Sequence, residues 1–233
     1  MDMQSKGVLD ALLEKGVTKL HHANTVITSC QFLRKRALLS RGTIERSGLY
    51  QTPQASDAED KRLSLWYDVF ADSVDIHARA IKANAYGPVL FVLDVEKLRG
   101  KGHGRIWITK LNPTRWTGVP REERWFQSVG DVRDNFVYGT FNQMIVFRHC
   151  GGVLNFSEAL DEIVLDDPQY ETKSGLDLYS LACGALVLAA FEGKLSVPIH
   201  RRKCADDCKC LDYLKRYPGR TVEMFMPRMK LAA

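Results

Sequence analysis

The sequence contains no apolar run long enough to cross a lipid bilayer. Its most apolar stretch, residues 178–191, is shorter than the roughly 20 residues that a membrane-spanning helix needs, and Asp177 and Glu192 flank it. Residues 1–6 are polar, and no apolar segment follows them, so we expect no secretory signal. These absences predict a cytoplasmic protein in which residues 178–191 form a buried helix.

Common metal-binding motifs are also missing, since neither a His-Glu-x-x-His sequence nor a paired Cys-x-x-Cys is present. Three cysteines instead form a Cys-x-x-x-Cys-x-Cys cluster at Cys204, Cys208 and Cys210. Thiolates at this spacing can bind zinc, with His200 or Cys150 as the fourth ligand. The alternative is free cysteines on a helical segment, because a disulfide is not expected in the cytoplasm.

The length and composition predict one α+β domain. The 233 residues are 45% hydrophobic, which is enough for a substantial core. No internal repeat is present, short strand-like runs outnumber long helices in the middle of the chain, and residues 89–93 are apolar throughout, as in a central strand. We expect a single domain over residues 1–233, in which residues 169–233 form a helical, basic C-terminal extension.

Positive charge is concentrated near the C-terminus. Residues 199–233 contain nine Lys or Arg and four Asp or Glu, so their excess of five equals the net charge of the whole chain, +5. A basic segment on a neutral body is typical of a protein that binds a polyanion, and Arg201, Arg202 and Lys203 are the first candidates for phosphate contacts. A solvated basic surface without a partner would have the same composition.

Basic and aromatic residues alternate in a second segment, over residues 115–126. Arg115, Trp116, Arg124 and Trp125 could hold single-stranded nucleic acid, because aromatic faces stack on bases while guanidinium groups bind phosphates. A packed loop with buried tryptophans would look the same in sequence.

A single glutamate stands out in the segment FNQMIVFRHCGGVLNFSEALDEIVLDDP, residues 141–168. A β-rich run ends near Arg148, Gly151 and Gly152 allow a turn, and Glu162 lies at the start of the next strand-like run. This pattern predicts a carboxylate at the rim of a sheet, facing a cleft. The alternative is a solvated acid in an acidic patch with Asp161, Asp166 and Asp167.

Histidines and acids accumulate in two other segments. His21, His22 and Asn24 lie where a predicted strand meets a predicted helix, and Asp72, Asp75 and His77 follow an aromatic strand-like run. Residues of these types could bind a metal, although their spacing matches no standard metal motif. Because side chains alternate along a strand, we expect only one of the two histidines to face a cleft, and we favour His22.

The order of these features resembles that of the DarT-like ADP-ribosyltransferases. The stretch LHHANTVITSCQFLRKRALLSRG resembles the family's opening, in which a His-x-Thr or similar sequence precedes a helix. The stretch WYDVFADSVDIHAR resembles the segment that carries a nicotinamide-facing aromatic residue and an arginine, and DEIVLDDP resembles the strand with the catalytic glutamate. The resemblance covers residues 17–168. Asn24 replaces the family's threonine, and no Arg-Ser-Pro motif follows Phe70.

The resemblance implies an enzyme that cleaves NAD+ on a split β-sheet surrounded by helices and transfers ADP-ribose to a nucleic-acid base. Glu162 would stabilise the ribose cation that forms as nicotinamide leaves, with Arg79 or His77 as its active partner. NAD+ would be bound by residues of three kinds: His21, His22 and Asn24 at the ribose, Tyr67 or Phe70 over the nicotinamide, and Arg41 or Arg79 at the pyrophosphate.

The implied biological setting is a toxin or phage-defence enzyme, with an antitoxin protein as a further partner. Three other functions fit the same residues. The same fold hosts RNA 2′-phosphotransferases, a non-catalytic nucleic-acid-binding module would need only the basic tail and the aromatic loop, and Asp72, Asp75, His77 and Glu162 could form a metal-dependent nuclease.

Overall fold

The structure is a computed structural model that describes residues 3–79, 83–100 and 103–227, without the side chain of Arg79. Eleven α-helices and nine β-strands alternate along this part of the chain, which confirms the α+β class. The helices are α1 (Ser5–Glu14), α2 (Val26–Lys35), α3 (Arg41–Arg46), α4 (Asp57–Arg62), α5 (Ile76–Arg79), α6 (Val95–Arg99), α7 (Arg121–Arg124), α8 (Val129–Asn135), α9 (Leu178–Glu192), α10 (Lys209–Arg216) and α11 (Pro218–Phe225). The strands are β1 (Lys19–Asn24), β2 (Ala37–Leu39), β3 (Val69–Ala71), β4 (Val89–Asp94), β5 (Arg105–Ile108), β6 (Ile145–Arg148), β7 (Val153–Asn155), β8 (Leu160–Asp167) and β9 (Ile199–Lys203).

The main sheet has the strand order β1-β4-β8-β9. Strand β4 runs antiparallel to both β1 and β8, whereas β9 runs parallel to β8. The first five residues of β4 are buried, which confirms the prediction that this apolar run is a central strand.

A second sheet meets the main sheet at the histidine pair. It has the order β3-β6-β5, and β2 and β7 form a separate two-stranded ladder. The two larger sheets are joined where His21 and Asp72 exchange two backbone hydrogen bonds of 2.9 Å each. This bridge places His21 where the main sheet and the second sheet meet.

The two faces of the main sheet differ in burial. One face carries Leu20, Phe91 and Ile163, which are fully buried; α2 and α9 pack on each other, and Phe32 of α2 packs edge-on against Phe91. The other face carries side chains that alternate with these. His21 of β1 and Glu162 of β8 are half-buried there, whereas Val92 of β4 and Asp166 of β8 are buried. We call this face, which carries His21 and Glu162, the open face.

The C-terminal segment is built into the main sheet. It was predicted to be helical, but residues 199–203 form β9, which extends the sheet beside β8. The predicted buried helix is present as α9, whose inner side is fully buried at Leu178, Ala182 and Leu186. Within the part of the chain that the structure describes, no helix is both long and apolar enough to span a membrane.

Two glycines of the α9 segment provide a test of this packing. Gly193 ends α9 beside α2, and a β-carbon there would overlap with the carbonyl oxygen of Leu33. We expect Gly193→Ala to destabilise the protein by about 1–3 kcal/mol because the two helices must move apart. Gly184, exposed in the middle of α9, has open space around it.

The matched control, Gly184→Ala, should stabilise the protein by about 0.5–1 kcal/mol because alanine favours the helix. Urea unfolding of both variants measures the difference. Equal stabilities for the two variants would contradict the close α2–α9 contact.

Candidate active site

A histidine and a glutamate lie in one row across the open face. His21 of β1 is opposite Val92 of β4, and Val92 is opposite Glu162 of β8. Residues that are opposite each other in antiparallel strands point to the same face. Two strand spacings separate the ends of the row, about 10 Å, and the side chain of Val92 between them is buried.

Glu162 is half-exposed and lies next to a second histidine. Its side chain is 37% exposed, and its carboxylate is 3.3 Å from Nε2 of His200 on β9. The three acids that would form a solvated acidic patch with Glu162 have other environments. Asp166 and Asp167 are buried, and Asp161 forms an ion pair of 2.7 Å with Lys19.

A cavity lies beside the β1 end of this row, between the main sheet and the second sheet. It contains about 1030 Å³ of space between the protein atoms, a volume that includes open solvent. Five of the predicted NAD+-binding residues line it: His21, His22, Asn24, Arg41 and Phe70. The expectation that only one of the two histidines would reach the cleft is therefore wrong.

The two histidines have different surroundings. The ring of His22 packs 5.6 Å from that of Phe32, Nδ1 is 2.8 Å from the carbonyl oxygen of Phe70, and Nε2 is 3.3 Å from the amide nitrogen of Asn24. Desolvation lowers the pKa of His22, so the ring stays neutral, with Nδ1–H donating to Phe70 and Nε2 accepting from Asn24. His22 thus belongs to the packed side of the strand, and His21 shares the open face with Glu162.

Of the two aromatic candidates for the nicotinamide, only one lines the cavity. Phe70 contributes to the wall, whereas Tyr67 is not in contact with it and is half-exposed beneath the guanidinium of Arg46. Arg41 also lines the cavity, but it forms a two-pronged ion pair with Asp57 and donates to the carbonyl oxygen of Thr52 at 3.0 Å. Its position is thus fixed by the protein.

Three acids also line the cavity: Asp60, Asp68 and Asp72, of which sequence reasoning had grouped only Asp72 with the histidine pair. Burial raises the pKa of Asp68 to about 6, partly offset by an ion pair of 3.0 Å with Arg148. Burial also raises the pKa of Asp60. No periodicity in the sequence indicates that these three residues share a site, because only the fold brings their separate segments together.

His77 does not line the cavity, although its neighbour Ile76 does. Its Nδ1 is 2.9 Å from the carboxylate of Asp166, and this hydrogen bond raises the pKa of His77 to about 10. The side chain of Arg79, the other predicted partner of Glu162, lies outside the described residues. The predicted nuclease site is not assembled, since Asp75 pairs with Arg202, and among the described residues no metal-binding group combines Asp72, Asp75, His77 and Glu162.

The structure brings together only part of the predicted set of zinc ligands. Cys204, Cys208 and Cys210 lie together, but His200 is beside Glu162, and Cys150 contacts the carbonyl oxygen of Phe147. The histidine that joins the three cysteines is His77. Sequence spacing could not reveal this exchange of histidines, because α5 and the cysteines are far apart in the chain.

The aromatic loop is packed rather than open. Trp116 and Trp125 are almost fully buried, and their rings contact each other at 4.8 Å. Arg124 lies over Trp116 and donates to the carbonyl oxygen of Val119. The predicted stacking of bases on these tryptophans does not fit this burial, and the packed-loop alternative describes them. Arg115 is exposed, next to the cavity residues Pro113 and Thr114.

Two of the three predicted phosphate-binding residues of the tail have structural partners. Arg201 donates to the buried carboxylate of Asp167 at 2.8 Å and lies over the ring of Tyr179. Arg202 donates to the buried carboxylate of Asp166 at 2.6 Å and also pairs with Asp75. Lys203 is exposed.

Comparison with known proteins identifies a fold but not a family. No protein-family model matches the sequence, and no curated protein sequence is significantly similar to it. A solved structure, "Thermus sp. 2.9 DarT in complex with ADP-ribosylated ssDNA", superposes with a TM-score of 0.50 and 10% sequence identity. The superposition covers 80% of this chain and 95% of that one. The two proteins thus have similar folds over most of their lengths.

The role of Arg202 can be tested by removing it. Arg202→Ala would remove the ion pairs of Arg202 with Asp166 and Asp75 and leave His77 as the remaining side-chain partner of the buried Asp166 carboxylate. We expect a loss of about 1–3 kcal/mol in the free energy of unfolding. The control is Lys203→Ala, the next residue on the same strand, which is exposed and should change stability by less than about 0.5 kcal/mol.

Urea unfolding and binding of a single-stranded oligonucleotide at several salt concentrations would be measured on both variants. If Arg202→Ala is as stable as the wild type and its binding depends less on salt, Arg202 contacts phosphate and the structural role is wrong.

Proposed function

We propose that this protein is an NAD+-dependent ADP-ribosyltransferase that modifies a base in nucleic acid. The observation that carries the proposal is the row His21–Val92–Glu162 on the open face of the main sheet, in which His21 lines the cavity. The fold similarity to the Thermus DarT supports it, because that protein was solved in complex with ADP-ribosylated single-stranded DNA.

Glu162 would supply the electrostatic part of the reaction. Departure of nicotinamide leaves positive charge on the ribose, as in the oxocarbenium-like transition state of glycoside cleavage. A carboxylate fixed on a sheet stabilises this charge without having to reorganise, and it can also accept a hydrogen bond from a ribose hydroxyl. His200, 3.3 Å from Glu162, would hold the carboxylate in place.

The cavity would bind the rest of the dinucleotide. His21 on the open face would hydrogen-bond a ribose hydroxyl, and Phe70 would cover the nicotinamide. Arg41 would contact the pyrophosphate through the part of its guanidinium that does not face Asp57. His22 and Asn24 would shape the wall of the cavity through the hydrogen bond between them.

The acceptor would be single-stranded nucleic acid or an extruded base. Because Trp116 and Trp125 are buried, the contacts with the strand would come from exposed basic residues near the cavity, of which Arg115 is the nearest in sequence to the lining residues. A toxin or phage-defence role, with an antitoxin partner, would follow from this activity.

Glu162→Gln tests the catalytic assignment. The substitution keeps the size of the side chain but removes its charge, and we expect transfer of labelled ADP-ribose to fall by at least about 100-fold. Glu158→Gln is the control, because Glu158 is an exposed residue of the turn before β8 and should leave transfer unchanged.

Transfer would be measured with separate pools of DNA, RNA and protein as acceptors. Wild-type activity of Glu162→Gln would remove Glu162 from the reaction. Removal of a 2′-phosphate from RNA without stable labelling of any pool would instead indicate an RNA 2′-phosphotransferase, and no turnover of NAD+ by the wild type would indicate a binding module.

The two histidines can be separated by affinity and stability. His21→Ala should weaken NAD+ binding by a few-fold to about tenfold, the effect of losing one net hydrogen bond of roughly 0.5–1.5 kcal/mol. His22→Ala should mainly lower the melting temperature, because its ring packs on Phe32 and bonds Phe70. Titration calorimetry and a melting curve on each variant measure both effects. A larger loss of affinity in His22→Ala would reverse the assignment.

A further inference from the structure

Four side chains from two distant parts of the chain meet outside the row of His21 and Glu162. His77 comes from α5, Cys204 and Cys208 come from the segment between β9 and α10, and Cys210 comes from the first turn of α10. Their ligand atoms all lie within 4.8 Å of one another. Three thiols and one imidazole are the donor set of a structural zinc site.

The donor atoms lie close enough together to surround one metal ion. Zinc–sulfur and zinc–nitrogen bonds of about 2.3 and 2.0 Å place neighbouring ligand atoms about 3.5–3.8 Å apart in a tetrahedron. Sγ of Cys208 is 3.4 Å from Nε2 of His77, close to this spacing. The four ligand atoms lie within 4.8 Å of one another, about 1 Å beyond the spacing in a metal-bound tetrahedron.

A carboxylate orients the histidine for this role. Nδ1 of His77 is 2.9 Å from the buried carboxylate of Asp166, which Arg202 holds through a bond of 2.6 Å. An imidazole that donates its Nδ1–H to a carboxylate directs the Nε2 lone pair to the opposite side, and here Nε2 is on the side of Cys208. Histidine ligands of zinc in proteins typically have such a partner.

Backbone hydrogen bonds hold both ligand-bearing segments. The carboxylate of Asp75 accepts from the backbone N–H of His77 at 2.8 Å, at the start of α5. The N–H of Cys204 donates to the carbonyl oxygen of Asp167, and Sγ of Cys208 accepts from the N–H of Cys210 as it begins α10. The site is thus supported by the ends of β8 and β9.

We propose that His77, Cys204, Cys208 and Cys210 bind one zinc ion that fastens the C-terminal segment to α5. Four protein ligands leave no open position for a substrate, as in structural zinc sites. The row of His21 and Glu162 shares no residue with the site, so the role is structural and goes beyond the proposed transferase activity. The binding free energy of such an ion contributes directly to folding.

Metal analysis of the full chain tests the proposal. Protein purified from zinc-supplemented cells should contain one zinc ion per chain, and cobalt substitution should give the thiolate-to-metal charge-transfer bands and intense visible bands of a tetrahedral thiolate site. Cys208→Ser should lose most of the metal. Cys183→Ser is the matched control, because Cys183 is a free, half-buried cysteine on α9, and it should keep one zinc per chain.

A measurement on the wild type avoids the risk that Cys208→Ser does not fold. A strong chelator should lower the melting temperature of the wild type, and added zinc should restore it. Absence of bound zinc in the wild type with a melting temperature that the chelator does not change would overturn the proposal, as would full zinc content in a folded Cys208→Ser variant. Neither result depends on NAD+ turnover, so failure of the zinc site and failure of the proposed transferase are distinguishable.

Discussion

Two adjacent buried carboxylates at the end of β8 organise the C-terminal part of the molecule. Asp166 and Asp167 are almost completely buried, and successive residues of a strand point to opposite faces, so each carboxylate needs its own cation. Both cations come from β9: Arg202 pairs with Asp166 on one face of the sheet, and Arg201 pairs with Asp167 on the other. Because a slip of β9 by one residue would exchange the faces of the two arginines, these pairs fix its parallel register beside β8.

The same strand connects this charged end to the candidate active site. Glu162 lies near the beginning of β8 and Asp166 near its end, on the same side of the strand. With β9 held in register, His200 is placed within 3.3 Å of Glu162, and Arg202 is placed against Asp166. The position of His200 beside the proposed catalytic carboxylate therefore depends on ion pairs farther along the two strands.

Sequence alone could predict the features that depend on local pattern, and contacts between distant segments decide the rest. The apolar runs of β4 and α9 have the lengths of a central strand and a buried helix, and both predictions are confirmed. The exchange of His77 and His200 between the two sites, by contrast, follows from the docking of α5 against β8. Likewise, whether a tryptophan packs or stacks on a base depends on what covers it, and Trp125 is covered by Trp107 and Trp116. Local sequence patterns do not predict these contacts, because the contacts depend on how whole helices and strands pack together.

The ion pairs also change how the net charge of the chain should be interpreted. The positive excess of residues 199–233 suggests a polyanion-binding tail, yet within the described residues four of its cations have acidic partners: Arg201, Arg202, Lys209 and Arg220. Arg228 and Lys230 lie outside the described residues. Cations that neutralise protein carboxylates release few counterions on binding a nucleic acid, so they add little to affinity. Nucleic-acid binding at the proposed site would therefore depend more on exposed basic residues near the cavity, such as Arg115, than on these four paired cations.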